Sequence, residues 1–400
     1  MTIKPINQLL GLTEIEPWPD YVHGQLLLDD LVKLLLRFVV LPQSAAETLA
    51  LWTLHTYAFD LRDISTYIGL ESPEKRCGKT TLLTVLSELV HRPLVAANIS
   101  PSAFFRVIEE TRPTLLIDEA DTLLKGNDEL RGILNAGYSR KSAYVVRVGQ
   151  PTAPAGANIE PEGDSVEAVS VIRLARFSCW CPKILAAIGR LPDTLSDRCI
   201  VIRMQRRTHR EQCERLRNLD ATDIRRQCLR FVLDHQDQIR DATPEIPDKL
   251  HDRAADVWEP LLALADIAGA HWPRVARDAA VHLAETSLEQ SPMGSLLFDI
   301  FCIFATNGQD RLFTRTLVDK LAGCSDRPWV ETLKGKPVTE RWLAQQLRPY
   351  GIHPRTLRIE NLRGKGYWEE DFHDTFRRYI PRSDIDALSA EADPSASEPA

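Results

Sequence analysis

The chain has 400 residues, 44% hydrophobic and 26% charged, the balance of an ordinary soluble globular protein with two or three domains. A formal net charge of −7 excludes a uniformly basic nucleic-acid coat, though not a basic patch on one domain. Eight cysteines without framework spacing, and a start over residues 1–20 with no basic stretch leading into an apolar run, predict free thiols in a cytoplasmic protein without a secretory signal.

Taken in chain order, the apolar stretch over 25–41 carries Asp29, Asp30, Lys33 and Arg37, which a membrane span would not tolerate. Its spacing predicts a helix over 26–38, and a second follows over 45–59 with Ser44 as candidate N-cap. A short strand is expected over 64–70, a helix over 80–90, and a fully apolar strand of the buried parallel kind over 114–117. Strand, loop, helix and buried strand in that order are the grammar of an α/β domain with helices on both sheet faces. The runs 144–148 and 169–174 are expected to pair as strands around a proline- and glycine-rich loop over 149–164. After Met204 the chain is expected to turn charged and helical, broken at Pro244 and Pro247, with an apolar helix face over 258–267. The acidic, Ser/Ala/Pro-rich stretch from Ser383 is expected to be a disordered tail.

The sharpest motif is Ser72-Pro73-Glu74-Lys75-Arg76-Cys77-Gly78-Lys79-Thr80-Thr81, between a strand and a helix. Consecutive backbone N–H groups and a helix N-terminus there can cradle phosphate oxygens. Lys79 would reach the β- and γ-phosphates of ATP, and the Thr80 hydroxyl would bind Mg²⁺. Pro73 stands where such loops usually carry their first glycine, and proline cannot take a positive φ, so the opening turn must differ from the common form. Asp118 lies 39 residues after Lys79, in Thr114-Leu115-Leu116-Ile117-Asp118-Glu119-Ala120-Asp121. At the end of a buried strand, Asp118 would hold the metal shell and Glu119 would polarise the attacking water. The bland alternatives are a chance Gly-Lys-Thr in a surface loop and a solvated acidic helix start. The two motifs in one strand–helix context favour the phosphate site.

A third constellation, Leu191-Pro192-Asp193-Thr194-Leu195-Ser196-Asp197-Arg198, sits between apolar strands over 184–188 and 200–204. It resembles the segment by which ring-forming AAA+ ATPases present an arginine to the neighbouring subunit's nucleotide. Arg198 would be that finger, since a guanidinium stays charged and offers a planar fork to phosphate; an Asp197–Arg198 surface pair is the alternative. Gly189 falls where such ATPases carry a polar sensor, and Arg253 is a candidate second sensor, with a helix-surface ion pair as its plainer role. Cys179 and Cys181 are too close in sequence for usual zinc spacing and read as core residues. The run Arg203, Arg206, Arg207 and Arg210 suits a DNA channel or a solvated face equally.

With Leu130-Arg131-Gly132-Ile133-Leu134-Asn135 and Asp252-Arg253-Ala254-Ala255-Asp256-Val257-Trp258 added, the stretch 38–380 resembles an uncharacterised P-loop ATPase family of phages, plasmids and genomic islands. That family is often encoded beside or fused to primase modules. The resemblance implies mobile-element replication and, around Asn135 and the 144–174 hairpin, elements in DNA-facing places.

From Ser295 the expected order is a helix over 296–304, a second capped by Thr314, a third from Thr339 to Arg348, then two strands around a tip at Asn361-Leu362-Arg363-Gly364-Lys365. This reads as a winged helix. Over 339–365, six basic residues (Arg341, Arg348, Arg355, Arg358, Arg363, Lys365) stand against Glu340 and Glu360, which suits phosphate contact. DNA binding by Arg341, Arg348, Arg363 and Lys365 is therefore expected, with packing on a partner or on the ATPase body as the alternative.

The expected architecture is an N-terminal helical segment (1–60), an α/β AAA+-like P-loop core (61–205), a helical lid (206–290), a winged helix (295–380) and a tail (383–400). The expected function is an ATP-driven DNA motor, a replicative helicase forming a homo-oligomeric ring, a hexamer. The competing functions are an ATP-dependent loader or switch acting on a primase or similar partner, and a DNA-binding regulator with a vestigial ATP site.

Overall fold

The computed structural model describes residues 12, 14–96, 99–149, 173–289, 292–324, 329 and 337–380. The chain divides into two compact units, Met1–Ala284 and Glu285–Ala400.

The first unit is mixed α/β, built on a five-stranded sheet whose paired strands all run parallel. The strands are β1 (Tyr67–Ser72), β2 (Pro93–Ala96), β3 (Thr114–Ile117), β6 (Lys183–Ile188) and β7 (Cys199–Arg203), in the order β2-β3-β6-β1-β7. A late strand, β6, is thus inserted between β3 and β1. Such strands are buried on both faces, and the alternation of side chains divides them between two cores. Ile68, Leu116, Ile184 and Ala186 join one apolar cluster, with the helices Gly24–Phe38, Gln43–Ala58, Lys79–Leu89 and Asp252–Ala268. Leu115, Ile117, Leu185 and Ala187 join the other, with Phe104, Ile108 and Ile133 from helices Pro101–Thr111 and Asp128–Ala136. Helices from 1–60 and from 206–290 therefore share a single core.

Several expectations are corrected. The second helix starts at Gln43 with Pro42 as its N-cap, so Ser44 lies inside the first turn; its carbonyl accepts from Thr48 Oγ1 at 2.7 Å. The strand expected at 64–70 is β1, shifted toward its C-terminus to Ser72, and Ile64 makes only an isolated bridge to Ser139. Residues 205–221 are irregular rather than helical, and the helix resumes at Thr222–Asp234. β4 (Tyr144–Gly149) pairs antiparallel with β5 (Arg173–Ser178), so the second strand of the hairpin reaches beyond the expected 169–174. Residues 150–172, which hold most of the expected loop and the start of that strand, lie outside the described residues, as does the tail from Ser383.

Gly137 shows how tightly the β1–β6 side is assembled. A Cβ there would meet the Cys179 carbonyl oxygen at 2.5 Å and the Tyr67 hydroxyl at 2.8 Å. Below it the fully buried Lys183 donates to Tyr67 Oη (2.9 Å), Cys179 O (3.0 Å) and Cys181 O (2.9 Å), which satisfies all three ammonium protons. Cys179 and Cys181 are core residues, as expected from their spacing.

The second unit carries the helices Pro292–Asn307, Thr314–Ala322 and Glu340–Leu347 and an antiparallel sheet ordered β8-β10-β9. Here β8 is Arg311–Phe313, β9 is Arg355–Ile359 and β10 is Leu362–Trp368. Thr339 caps its helix by accepting from Trp342 N at 3.3 Å. Thr314 is not a cap: Phe313 holds that position, and the Thr314 hydroxyl is buried without a partner. Arg348 begins a 3-10 turn instead of ending the helix. Leu362 pairs with Ile359, so the turn is Glu360-Asn361, and Arg363 and Lys365 lie on the strand and not at the tip.

Candidate functional site

The carboxyl ends of parallel strands, with helix N-termini beside them, are where open α/β sheets bind ligands. β1 ends at Ser72, and the chain turns through 73–78 into the helix Lys79–Leu89. Two residues in this turn have positive φ, Arg76 (68°) and Gly78 (87°). The left-handed conformations that Pro73 cannot supply are thus placed later in the loop. Gly78 is the N-cap and offers no capping side chain, so the first N–H groups of the helix are left open toward a ligand. Ser72 Oγ donates to Glu74 O (2.8 Å) and Cys77 Sγ to Glu74 O (3.3 Å), which holds the loop in its curve.

Lys79 is only 9% exposed, and its ammonium hydrogen-bonds Ser72 Oγ. Among the described residues no carboxylate pairs with it, and a nearly buried cation held only by a hydroxyl is complementary to an anion. Thr80 Oγ1 donates to Asp118 Oδ2 at 3.0 Å. Asp118 Oδ1 accepts from Glu119 N at 2.9 Å, and Glu119, at φ 52°, turns the chain into the helix Ala120–Leu124. Asp121 Oδ1 accepts from Ile188 N at 3.1 Å and ties this turn to the end of β6.

These groups share a cavity of about 870 Å³, lined by Lys75–Thr81, Asp118, Glu119 and Asp121. Pro73 and Glu74, which open the motif, are not on its wall. Residues that the sequence reading missed complete the wall: Phe38 at the end of the first helix with Val39 and Val40 after it, and Gln205, Arg207 and Cys213–Leu216 from the irregular segment. The two pieces are fastened together, Glu214 N donating to Arg37 O (2.8 Å) and the Arg37 guanidinium meeting the Glu214 carboxylate at 2.7 Å. No local pattern announces this wall, because its members lie about 170 residues apart in sequence.

The donor set fits a metal–polyphosphate ligand. A hydroxyl and a carboxylate side by side are hard oxygen donors of the kind Mg²⁺ takes, and the open helix N-terminus and Lys79 suit phosphate. No group of three or more His, Cys, Asp or Glu residues placed to hold a metal by themselves occurs among the described residues.

The expected outlying residues are not at the cavity. Arg198 is half-buried and donates to the Thr194 carbonyl, with its guanidinium over the Tyr138 ring. Arg253 lies over the same ring. Of β6, the cavity is lined by Ala186 and Ile188, both apolar. Arg203 meets Glu71 (3.5 Å) and Arg206 meets Glu74 (3.1 Å), so half of the arginine run is neutralised in place, while Arg207 faces the cavity. In the second unit, Arg341, Arg348, Arg363 and Lys365 are all exposed. Arg355, counted in the basic surplus, pairs with Asp371 and Glu370.

Among the described residues no helix is long and apolar enough to cross a membrane. Residues 203–379 match a family described as "Protein of unknown function (DUF3631)". Over 143 residues the chain is 34% identical to an "Uncharacterized 28.9 kDa protein in xis 5'region" of Saccharopolyspora erythraea, a match covering 35% of this chain and 53% of that protein. The chain thus spans about half the length of the curated relative it matches. Two solved structures are similar over most of the chain. One is the apo C-terminal region of NrS-1, with TM-score 0.39, 13% identity, and coverage of 89% of this chain and 77% of that one. The other, described as "SCCmec type IV Cch - active helicase", has TM-score 0.36, 10% identity, and coverage of 87% and 68%.

Proposed function

We propose that this chain is an Mg²⁺-dependent ATPase with a P-loop, AAA+-like core and helical lid, acting as a DNA motor and, in a homo-oligomeric ring, as a replicative helicase of a mobile element. The observation that carries the reading is the convergence of Lys79, Thr80, Asp118 and Glu119 on one cavity at the ends of β1 and β3.

In this reading Lys79 and the amides of 75–80 bind the β- and γ-phosphates of ATP, and Thr80 and Asp118 hold Mg²⁺. The metal, when bound, neutralises charge developing on the transferred phosphoryl group. Glu119 orients the attacking water and accepts its proton. Arg198, remote from its own cavity, reaches the nucleotide of a neighbouring copy. The second unit acts as a winged helix, with Arg341, Arg348, Arg363 and Lys365 contacting DNA phosphates.

The test measures ATP hydrolysis and strand displacement together, with and without single-stranded DNA, on wild type, Lys79→Ala and Glu119→Gln. DNA-stimulated hydrolysis that both substitutions reduce by at least a hundredfold is expected. Absence of hydrolysis in the wild type, or intact hydrolysis in Lys79→Ala, overturns the reading.

The apolar end of β6 favours a second reading. Without a polar side chain from Ala186 or Ile188 to help position water, hydrolysis is slow, and ATP acts as a switch that loads or remodels a partner such as a primase. Strand displacement would then be absent while ATP still controlled assembly.

A further inference from the structure

Residues two apart on a strand share a face, and Ile68 and Leu70 of β1 lie in the core that also takes Leu82, Val85 and Leu86 of the helix Lys79–Leu89. Ser72 continues that face, so the strand ends in a hydroxyl, only 3% exposed, turned toward the start of the helix. Pro73 keeps it there, because a residue before proline is confined to extended backbone. The main chain around Ser72 is pinned from both neighbouring strands. Glu71 O accepts from Met204 N at 2.8 Å, and Ser72 O accepts from Gly189 N at 2.8 Å. Glu71 Oε1 adds a bond from Leu191 N at 2.9 Å.

A serine hydroxyl has one proton and two lone pairs. Ser72 Oγ gives its proton to Glu74 O at 2.8 Å, so it meets Lys79 as an acceptor. Among the described residues Ser72 Oγ is the one acceptor of the Lys79 ammonium, which leaves two of its three protons for a ligand. Lys79 lines the cavity and Ser72 does not. A lysine head rides on a flexible four-carbon stem, and ordering that stem before the ligand arrives removes an entropic cost of binding. We propose that Ser72 is a positioning residue, whose hydroxyl, fixed by Pro73 and by the Glu74 carbonyl, aims the Lys79 ammonium at the phosphate chain of a nucleoside triphosphate. The proposal rests on the reading of the Lys79 cavity as an ATP site. It also assigns a task to Pro73: the residue that stands in place of the usual glycine holds the aiming hydroxyl in register with the sheet.

The test uses the full-length chain, with ATP turnover and the affinity for a fluorescent ATP analogue in Mg²⁺ measured separately. Ser72→Ala is expected to lower turnover about tenfold and to weaken affinity about fivefold. Ser72→Thr, which keeps the hydroxyl, should recover at least about half of the lost turnover. A double-mutant cycle then separates aiming of Lys79 from simple support of the loop. In a Lys79→Ala background, Ser72→Ala should change affinity by less than about twofold, since no ammonium remains to be aimed. An equal loss of affinity in both backgrounds overturns the proposal, as does a Ser72→Thr variant that melts like wild type yet turns over no faster than Ser72→Ala. Should Ser72→Ala not fold, Ser72→Cys, a weaker acceptor of similar size, takes its place in the same cycle. A wild type that binds and hydrolyses ATP beside an unaffected Ser72→Ala overturns the positioning role alone. A wild type that does neither overturns the ATP-site reading as well.

Discussion

Thr80 Oγ1 stands 3.0 Å from Asp118 Oδ2, a contact that joins the helix after β1 to the end of β3. These strands are not neighbours, since β6 lies between them, so the pair spans the strand that separates them. Asp118→Asn removes the formal charge and keeps the shape. It is expected to weaken Mg²⁺-dependent ATP binding at least tenfold while leaving metal-free binding near wild type. Titrations with and without Mg²⁺ check this, and an equal loss in both would show that the carboxylate does not serve the metal.

Gly78 takes φ 87°, where an L side chain is strained, although the atom nearest to an added methyl, Met204 Cε at 3.5 Å, leaves room for one. Gly78→Ala should therefore destabilise by about 1–2 kcal/mol through the backbone alone. It should also misalign the amides before Lys79, so the fall in melting temperature comes with weaker nucleotide binding. Unchanged binding would separate the turn from the site.

Burial pushes the pKa of His55 down to about 3, and burial with Arg92 nearby pushes that of His91 down to about 4, against an unfolded value near 6.5. His55 Nε2 accepts from Thr66 N at 3.2 Å, which needs the neutral ring. Below pH 6.5 the unfolded chain binds these protons and the folded one does not. Stability that is complete above about pH 6.5 therefore falls as pH drops toward 4, by roughly 1.4 kcal/mol per pH unit for each histidine. Denaturant melts from pH 8 to 4 should show a shallower slope for His55→Gln/His91→Gln than for wild type. Parallel curves would refute the assignment.

Thiol reactivity should separate by position. Burial raises the pKa of Cys179 to about 11 and also raises those of Cys181, Cys199 and Cys228, so all four should resist iodoacetamide in the folded chain. Cys213 is half-buried on the cavity wall and should react, more slowly when Mg-ATP is present. Peptide mass spectrometry reads both effects, and labelling of Cys213 at a rate indifferent to nucleotide would place the ligand elsewhere.

In the second unit Arg358 and Arg363 are directly opposite across β9 and β10, with Lys365 opposite Thr356 on the same face. Like charges so placed destabilise a sheet slightly, and phosphate would relieve them. Arg363→Ala/Lys365→Ala should weaken DNA binding uniformly across sequences and reduce the magnitude of the log–log salt slope by about 2. A loss confined to one sequence would point to base reading instead.

By itself the sequence determined the local features of this protein. Lys79, Thr80, Asp118 and Glu119 were legible because each motif is a few contiguous residues at the junction of an apolar strand and a helix, where backbone geometry follows from nearest neighbours. The helices at 24–38 and 252–268 and the buried β3 were legible for the same reason. Element ends were less so: Pro42 displaced Ser44 as a cap, and Phe313 displaced Thr314, because capping depends on where the chain enters the helix. Only the tertiary structure decided that β6 enters the sheet between β1 and β3 and that residues 205–221 remain irregular. It alone brought Phe38–Val40 and Cys213–Leu216 together as one wall, and Arg198 and Arg253 to one ring. Those arrangements come from contacts between segments far apart in the chain, whose energy is gained only once the sheet has ordered and both of its apolar faces are covered.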